Sequence, residues 1–216
     1  MNNYDMCFSI GPACRPSYYI RNYGYRKCAY PMDWMMCSID GTLNLYKKKF
    51  KNFFMDYTDI SDSFPCQKGR KCLLDNLYGI KDMHHFSSDF DIESQLNNYR
   101  ATMQRRYNRF ESDIREATSV LIMSNYTEDF EKLKCFIVDF SIIYPNKKIK
   151  LVNVHTVDQP VFKKITHKIN DLLSIDEYFF NDTNKYGDDP ATNPAFWIGN
   201  EEMWLNIIQE YMANVD

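Results

Sequence analysis

Apolar and polar positions divide the chain into short strands and longer helices. Met6–Ile10 reads Met-Cys-Phe-Ser-Ile and stops at Gly11-Pro12. Ser119–Ser124 is a near-continuous apolar run, and Ile149–Val154 is β-branched and partly alternating. Runs of this kind suit strands covered on both faces. Between the last two, Glu128–Tyr144 places Phe130, Leu133, Phe136, Ile137, Phe140 and Ile143 at the spacing of one helix face, and Pro145-Asn146 closes it. Strand, helix and strand in succession make a βαβ unit, which requires a parallel sheet.

The same 3–4 spacing predicts helices over Thr42–Phe54, Ile92–Arg115, Pro160–Leu173 and Glu201–Ala213. Residues 56–75 and Asn181–Pro194 are polar and rich in chain breakers, and the second stretch reads as a mobile loop or a lid. No repeat and no linker divides the chain. The expected fold is therefore α/β: one domain over residues 1–216 with a mainly parallel sheet flanked by helices.

Composition narrows the function classes. The 216 residues are 44% hydrophobic and 25% charged, a globular balance. With 26 basic and 29 acidic side chains the formal charge is −3, which lacks the basic footprint of a nucleic-acid binder. No apolar run approaches the roughly 20 residues of a membrane span. Seven cysteines accompany a start, Met1–Asp5, with no basic leader region. The expectation is a cytoplasmic protein with mostly free thiols, Cys7 and Cys135 serving as small buried hydrophobes. No Cys-x-x-Cys pair and no close histidine pairing points to a metal.

One cysteine differs from the rest. The first strand runs into Gly11-Pro12-Ala13, and a helix is expected to begin at Cys14–Pro16, because proline suits a first helical turn. Cys14 would then sit at a strand's C-terminal end and a helix N-terminus, where free N–H groups lower a thiol pKa and can hold an oxyanion. Gly11 would let a substrate approach the backbone. A thiol nucleophile needs a base. His84 and His85 are adjacent, so one of them at most faces the site, and His155 at a strand end is the reserve. His167, between lysines on an expected helix, reads as solvated. Asp33 in Tyr-Pro-Met-Asp-Trp is the candidate orienting acid, with a turn or helix cap as its plainer role. Arg105 and Arg109 share a face of the long helix with Arg106 nearby, either as a solvated face or as a site for an anionic group.

The ordered set of motifs resembles the putative papain-like cysteine peptidase family. Its members open with a strand and S-[IL]-G-x-x-C, here Ser9-Ile10-Gly11-Pro12-Ala13-Cys14. Ile20-Arg21-Asn22-Tyr23-Gly24-Tyr25-Arg26 and Pro31-Met32-Asp33-Trp34 match the next two blocks. Tyr78-Gly79-Ile80, His84-His85-Phe86, Arg105-Arg106-Tyr107-Asn108-Arg109-Phe110 and the stretch from Trp197-Ile198-Gly199 to Trp204 follow in order. The resemblance implies Cys14 as nucleophile, His84 as base and Asp33 as a third member. His85 stands where members carry an acidic residue, Ser124 where they often carry arginine, and Met32 is a conservative change. The family label implies a papain-like α+β architecture with an antiparallel sheet, whereas the βαβ pattern implies a parallel one. The pattern is followed here, with the α+β fold as runner-up.

The expected function is thiol-dependent acyl chemistry, as a hydrolase or an acyltransferase, on a small-molecule, peptide or glycan substrate. No cofactor is implied for a hydrolase, and a transferase would draw on an acyl-thioester donor such as coenzyme A. The alternative is a non-catalytic binding protein for a phosphorylated sugar or nucleotide, by analogy one in surface-polysaccharide assembly.

Overall fold

The structure, a computed structural model, describes residues 4–25, 27–64, 66–158 and 162–212. Arg26, Pro65, Pro160, Val161 and Ala213, which entered the expectations above, lie outside the described residues. Two sheets organise the chain. The larger holds, in spatial order, β1 (Met6–Ser9), β6 (Ser119–Ser124), β7 (Lys148–Thr156), β9 (Leu173–Phe180) and β8 (Lys163–Lys168). The first four are mutually parallel, with Phe8 beside Ile122, Ile122 beside Leu151 and Leu151 beside Ile175; β8 alone runs antiparallel, along β9. The smaller sheet is antiparallel, in the order β2 (Met35–Met36), β5 (Ile80–Ser87), β4 (Arg70–Asp75) and β3 (Tyr57–Asp59).

Period-2 alternation splits the parallel sheet into two apolar faces. Phe8, Ile122, Leu151 and Ile175 face one core, shared with α2 (Ile39–Lys47), α3 (Ile92–Glu116) and α4 (Phe130–Ile143). Leu121, Met123, Val152 and Tyr178 face the other, shared with α1 (Arg15–Asn22) and α5 (Glu201–Met212). A strand covered on both sides has no solvent face, which is why β1 and β6 read as nearly continuous apolar runs. The helices begin where the sequence supplies caps: Ser38, Asp91 and Asp129 each accept from a backbone N–H three residues on. The long helix buries the expected stripe of Leu96, Tyr99, Met103, Tyr107, Phe110 and Ile114.

The mainly parallel α/β architecture is thus present, and it carries an antiparallel sheet as well. Four local expectations need correction. Of the segment expected to be helical from Pro160 to Leu173, the described part is not a helix, since residues 163–168 form β8. Ile165 and Ile169 are four apart, a spacing that shares a face in a helix and in a strand alike, so it could not choose between them. The lysines at 163, 164 and 168 mark β8 as a charged edge. Within residues 56–75, two strands replace the expected loop. The helix expected to reach Phe54 stops at Lys47, and Lys49, Phe50, Asn52 and Phe54 take left-handed backbone. Partners elsewhere satisfy that backbone: the Asp75 carboxylate accepts from the Phe54 N–H, and Arg100 Nε donates to the Phe54 carbonyl at 3.1 Å. Finally, Cys66 and Cys72 are joined in a disulfide, and Cys135 lies exposed on α4.

Candidate active site

The parallel sheet places Cys14. Strand β1 ends at Ser9, Ile10 donates to the Met123 carbonyl, and Gly11 turns the chain at φ 139°. A side chain is disfavoured there, because this backbone suits glycine and a Cβ on Gly11 would press at 3.0 Å on Asn125 Oδ1, just past β6. Asn125 Oδ1 is itself buried without a hydrogen-bond partner. Cys14 is the N-cap of α1, with Pro16 in the first turn, and no side chain caps the helix. The expected strand–glycine–helix junction is therefore as the sequence indicated.

The antiparallel sheet places His84 by a different device. Along the β4–β5 pair Leu73 faces Asp82 and Lys71 faces Phe86, so Met83, His84 and His85 together oppose Cys72 alone. Extra residues on one strand form a bulge, which re-aims side chains. Asp82 secures it: its fully buried Oδ1 accepts from the backbone N–H groups of His84 at 2.9 Å and His85 at 3.1 Å. The His85 ring folds back onto the same carboxylate, with Nδ1 2.8 Å from Oδ2. His84 is left pointing outward, and its Nε2 lies 3.2 Å from Cys14 Sγ. Residues seventy positions apart, one beyond the end of β1 and one on β5, meet at hydrogen-bond distance.

The charge states follow from burial and from Asp82. Burial pushes the Cys14 thiol up to about 12, and the Asp82 charge adds to the rise. This reverses the expectation that the helix end lowers it, because burial outweighs the short helix dipole. Burial lowers His84 below its ordinary value, against an opposing pull from Asp82. Asp82 is also buried, yet the hydrogen bond and charge of His85, with Tyr99 and the His84 N–H, hold it below the usual carboxylate range. At neutral pH the resting pair is a thiol beside a neutral imidazole.

Other candidates occupy distinct places. Asp33 is buried, accepting from Ser9 Oγ at 3.0 Å and from the Tyr30 N–H at 2.9 Å. Ser9 Oγ is 2.6 Å from Ser17 Oγ in α1, which in turn accepts from the Trp34 N–H at 3.4 Å. Through these hydroxyls Asp33 joins β1, α1 and the turn at Trp34. Arg105 donates to Thr102 Oγ1 and Arg109 to the Ala29 carbonyl, both on exposed parts of α3. The arginine of that run that reaches the site is Arg106, whose Nη1 is 3.4 Å from His85 Nε2. His155 and His167 lie instead on β7 and β8, each 2.7–2.8 Å from one oxygen of the buried Glu177. No group of three metal-ligating side chains exists among the described residues.

Asp82, Arg106 and two tryptophans were not read from the sequence as site residues. Trp34 holds a left-handed backbone, φ 69°, which costs a bulky residue ~1–3 kcal/mol. Its ring meets His84 edge to face at 5.9 Å and Trp197 at 6.2 Å. Trp197 comes from the Asn181–Pro194 side of the chain, which is knitted together by buried amides. Asn184 Nδ2 donates to the Gly199 carbonyl, Asn193 Nδ2 donates to the Gly187 carbonyl, and Arg15 pairs with Asp182 while donating to the Trp197 carbonyl. The signals were present as a strained Asp-Trp turn and an Asp two residues before His84. Neither means much until the bulge is seen.

Comparison with known proteins places the chain in a family. No curated protein and no solved structure matches the chain. A family model does match, over residues 5–141, and its span contains Cys14, Asp82 and His84. Among the described residues no helix is long and apolar enough to cross a membrane. The chain belongs to the family described as "Putative papain-like cysteine peptidase (DUF1796)".

Proposed function

We propose that this protein is a thiol-dependent acyl-transfer enzyme, acting first as a hydrolase, with Cys14 as nucleophile and His84 as general base. The observation that carries the reading is the 3.2 Å approach of Cys14 Sγ to His84 Nε2 across the two sheets. The thiol proton passes to Nε2 as sulfur attacks a carbonyl carbon, so the S–C bond forms against a base already in contact. The uncapped first-turn N–H groups of α1 are suited to the oxyanion that develops. The imidazolium then returns its proton to the leaving group as the carbonyl–leaving-group bond breaks. Water, deprotonated by His84, cleaves the thioester and restores the thiol. A transferase would put an acceptor nucleophile in place of water, and would load Cys14 from an acyl-thioester donor.

Asp82 is a positioning residue in this scheme, because it shapes the bulge that aims His84. Asp33 acts through Ser9 and Ser17 on α1 and Trp34. The test is hydrolysis of activated esters and thioesters by the wild type, Cys14→Ala and His84→Ala. Turnover that disappears with Cys14→Ala supports the reading. Turnover retained by Cys14→Ala contradicts it.

A further inference from the structure

Beside His84 stands a row of aromatic rings that the acyl-transfer scheme does not use. Trp34 touches His84, Trp197 touches Trp34, and Tyr18 meets Trp197 edge to face at 5.0 Å. All three remain partly exposed, whereas Trp204, on the same C-terminal part of the chain, is completely buried. A tryptophan that served only to fill the core would be buried as Trp204 is. Trp34 is instead held half-buried on strained backbone by the Ser17 hydroxyl, and strain of this kind persists where surrounding structure enforces it.

The charged and amide groups next to this row are already occupied. Arg15 is spent on Asp182 and the Trp197 carbonyl, and Asp182 also accepts from Trp204 Nε1 at 3.0 Å and the Asn200 N–H at 2.8 Å. The amides of Asn184 and Asn193 are bonded within their own loop. Gly199 leaves no room for change, since a Cβ there would collide with Arg15 and Asp182. A ligand rich in hydroxyls would find no free charged or amide side chain among these groups. A flat apolar group would continue the edge-to-face series of rings.

We propose that Trp34 and Trp197 form a specificity subsite for an aromatic ring on the substrate of Cys14, carried close to the carbonyl that is attacked. The inference rests on the acyl-transfer reading for its place in a reaction, and on the ring geometry alone for binding. An aromatic ring seated here would set the acyl carbonyl between Cys14 and the first turn of α1. A small aliphatic acyl group would reach the thiol without this contact.

Two measurements test it separately. In the first, Cys14→Ala protein is mixed with N-acetylphenylalanine amide or methyl glucoside and examined by saturation-transfer NMR. Transfer to the phenyl protons is expected, and it should vanish in the added variants Trp34→Gly and Trp197→Leu. Glycine accepts the left-handed backbone at position 34, so that variant keeps the turn, and circular dichroism checks the fold of both. In the second, the wild type should favour p-nitrophenyl phenylacetate over p-nitrophenyl acetate by about tenfold in kcat/KM, the scale of one good aromatic contact, with the ratio falling towards one in either tryptophan variant. Transfer to the glucoside in place of the phenyl group, or an ester preference unchanged by both substitutions, would overturn the subsite. Tryptophan-dependent phenyl binding without any ester turnover would uphold the subsite and count against the acyl-transfer reading. Turnover without aromatic preference or binding would do the reverse.

Discussion

The parallel sheet delivers Cys14 through regular structure, whereas the antiparallel sheet delivers His84 through an interruption of it. A strand end, a glycine turn and a helix start fix the thiol, and each is a standard consequence of the backbone. The histidine depends on three residues of β5 facing one of β4, and on a single buried carboxylate that ties the excess chain down. The first arrangement is robust because many apolar contacts on two faces support it. The second concentrates its geometry in Asp82. Changes on the two sides should therefore differ in kind: on the thiol side they should cost stability, and on the histidine side they should cost activity through orientation beyond any loss of stability.

The largest effect expected is on the pair itself. His84→Ala should lower kcat/KM for an activated ester by about 10²–10⁴-fold, the usual worth of a positioned general base. The pH profile sharpens this. His84 is held below 6.5, so it is already neutral and basic at pH 7, and activity should fall only as acid takes the pH through that lowered value. The thiol lies near 12, so the rate should hold on the alkaline side through pH 9. A loss of rate between pH 8 and 9 would indicate a preformed thiolate–imidazolium pair instead.

Next in size is Asp82. Asp82→Ala leaves the His84 and His85 N–H groups and the His85 ring without their buried acceptor, and should destabilise the protein by about 2–4 kcal/mol. Asp82→Asn keeps an acceptor for the backbone and should recover much of that loss in a denaturant titration. Both should reduce turnover more than stability alone explains. Equal turnover in the two variants and the wild type would mean that the bulge does not aim His84.

On the thiol side, Gly11→Ala forces a side chain into left-handed backbone against Asn125, and should cost ~1–3 kcal/mol by the same titration. The smallest effect belongs to the far edge of the antiparallel sheet. Tyr57 on β3 donates to Glu93 of α3 in an exposed contact, so Tyr57→Phe should shift stability by about 0.5–1 kcal/mol and leave turnover unchanged. A large loss of turnover from Tyr57→Phe would show that the antiparallel sheet transmits strain more widely than this comparison allows.

The same contrast explains what could be read from sequence. Ser119–Ser124 and Ile149–Val154 announced themselves because burial on both faces makes them mostly apolar, and α4 because its buried residues recur at helical spacing. The Cys14 junction was legible for the same reason, as the point where that pattern stops at glycine. The antiparallel strands β4 and β5 are half-polar, and the bulge between them breaks the alternation that would reveal a strand. In β9, Asp176 and Glu177 interrupt an apolar strand, and only their partners, Lys150 for one and His155 with His167 for the other, explain their burial. Asp82 escaped notice because a carboxylate between Lys81 and Met83 looks like surface until its acceptor role is seen.

The meeting of the two sheets at Cys14 and His84 is tested most directly by trapping the acyl-enzyme. Wild-type protein is mixed with p-nitrophenyl acetate, quenched in acid within the first turnovers, digested and examined by mass spectrometry. The account predicts one acetyl group on the peptide that contains Cys14, formed far more slowly in His84→Ala. Acetyl groups spread over exposed Cys135 and the lysines, with none on Cys14, would contradict it.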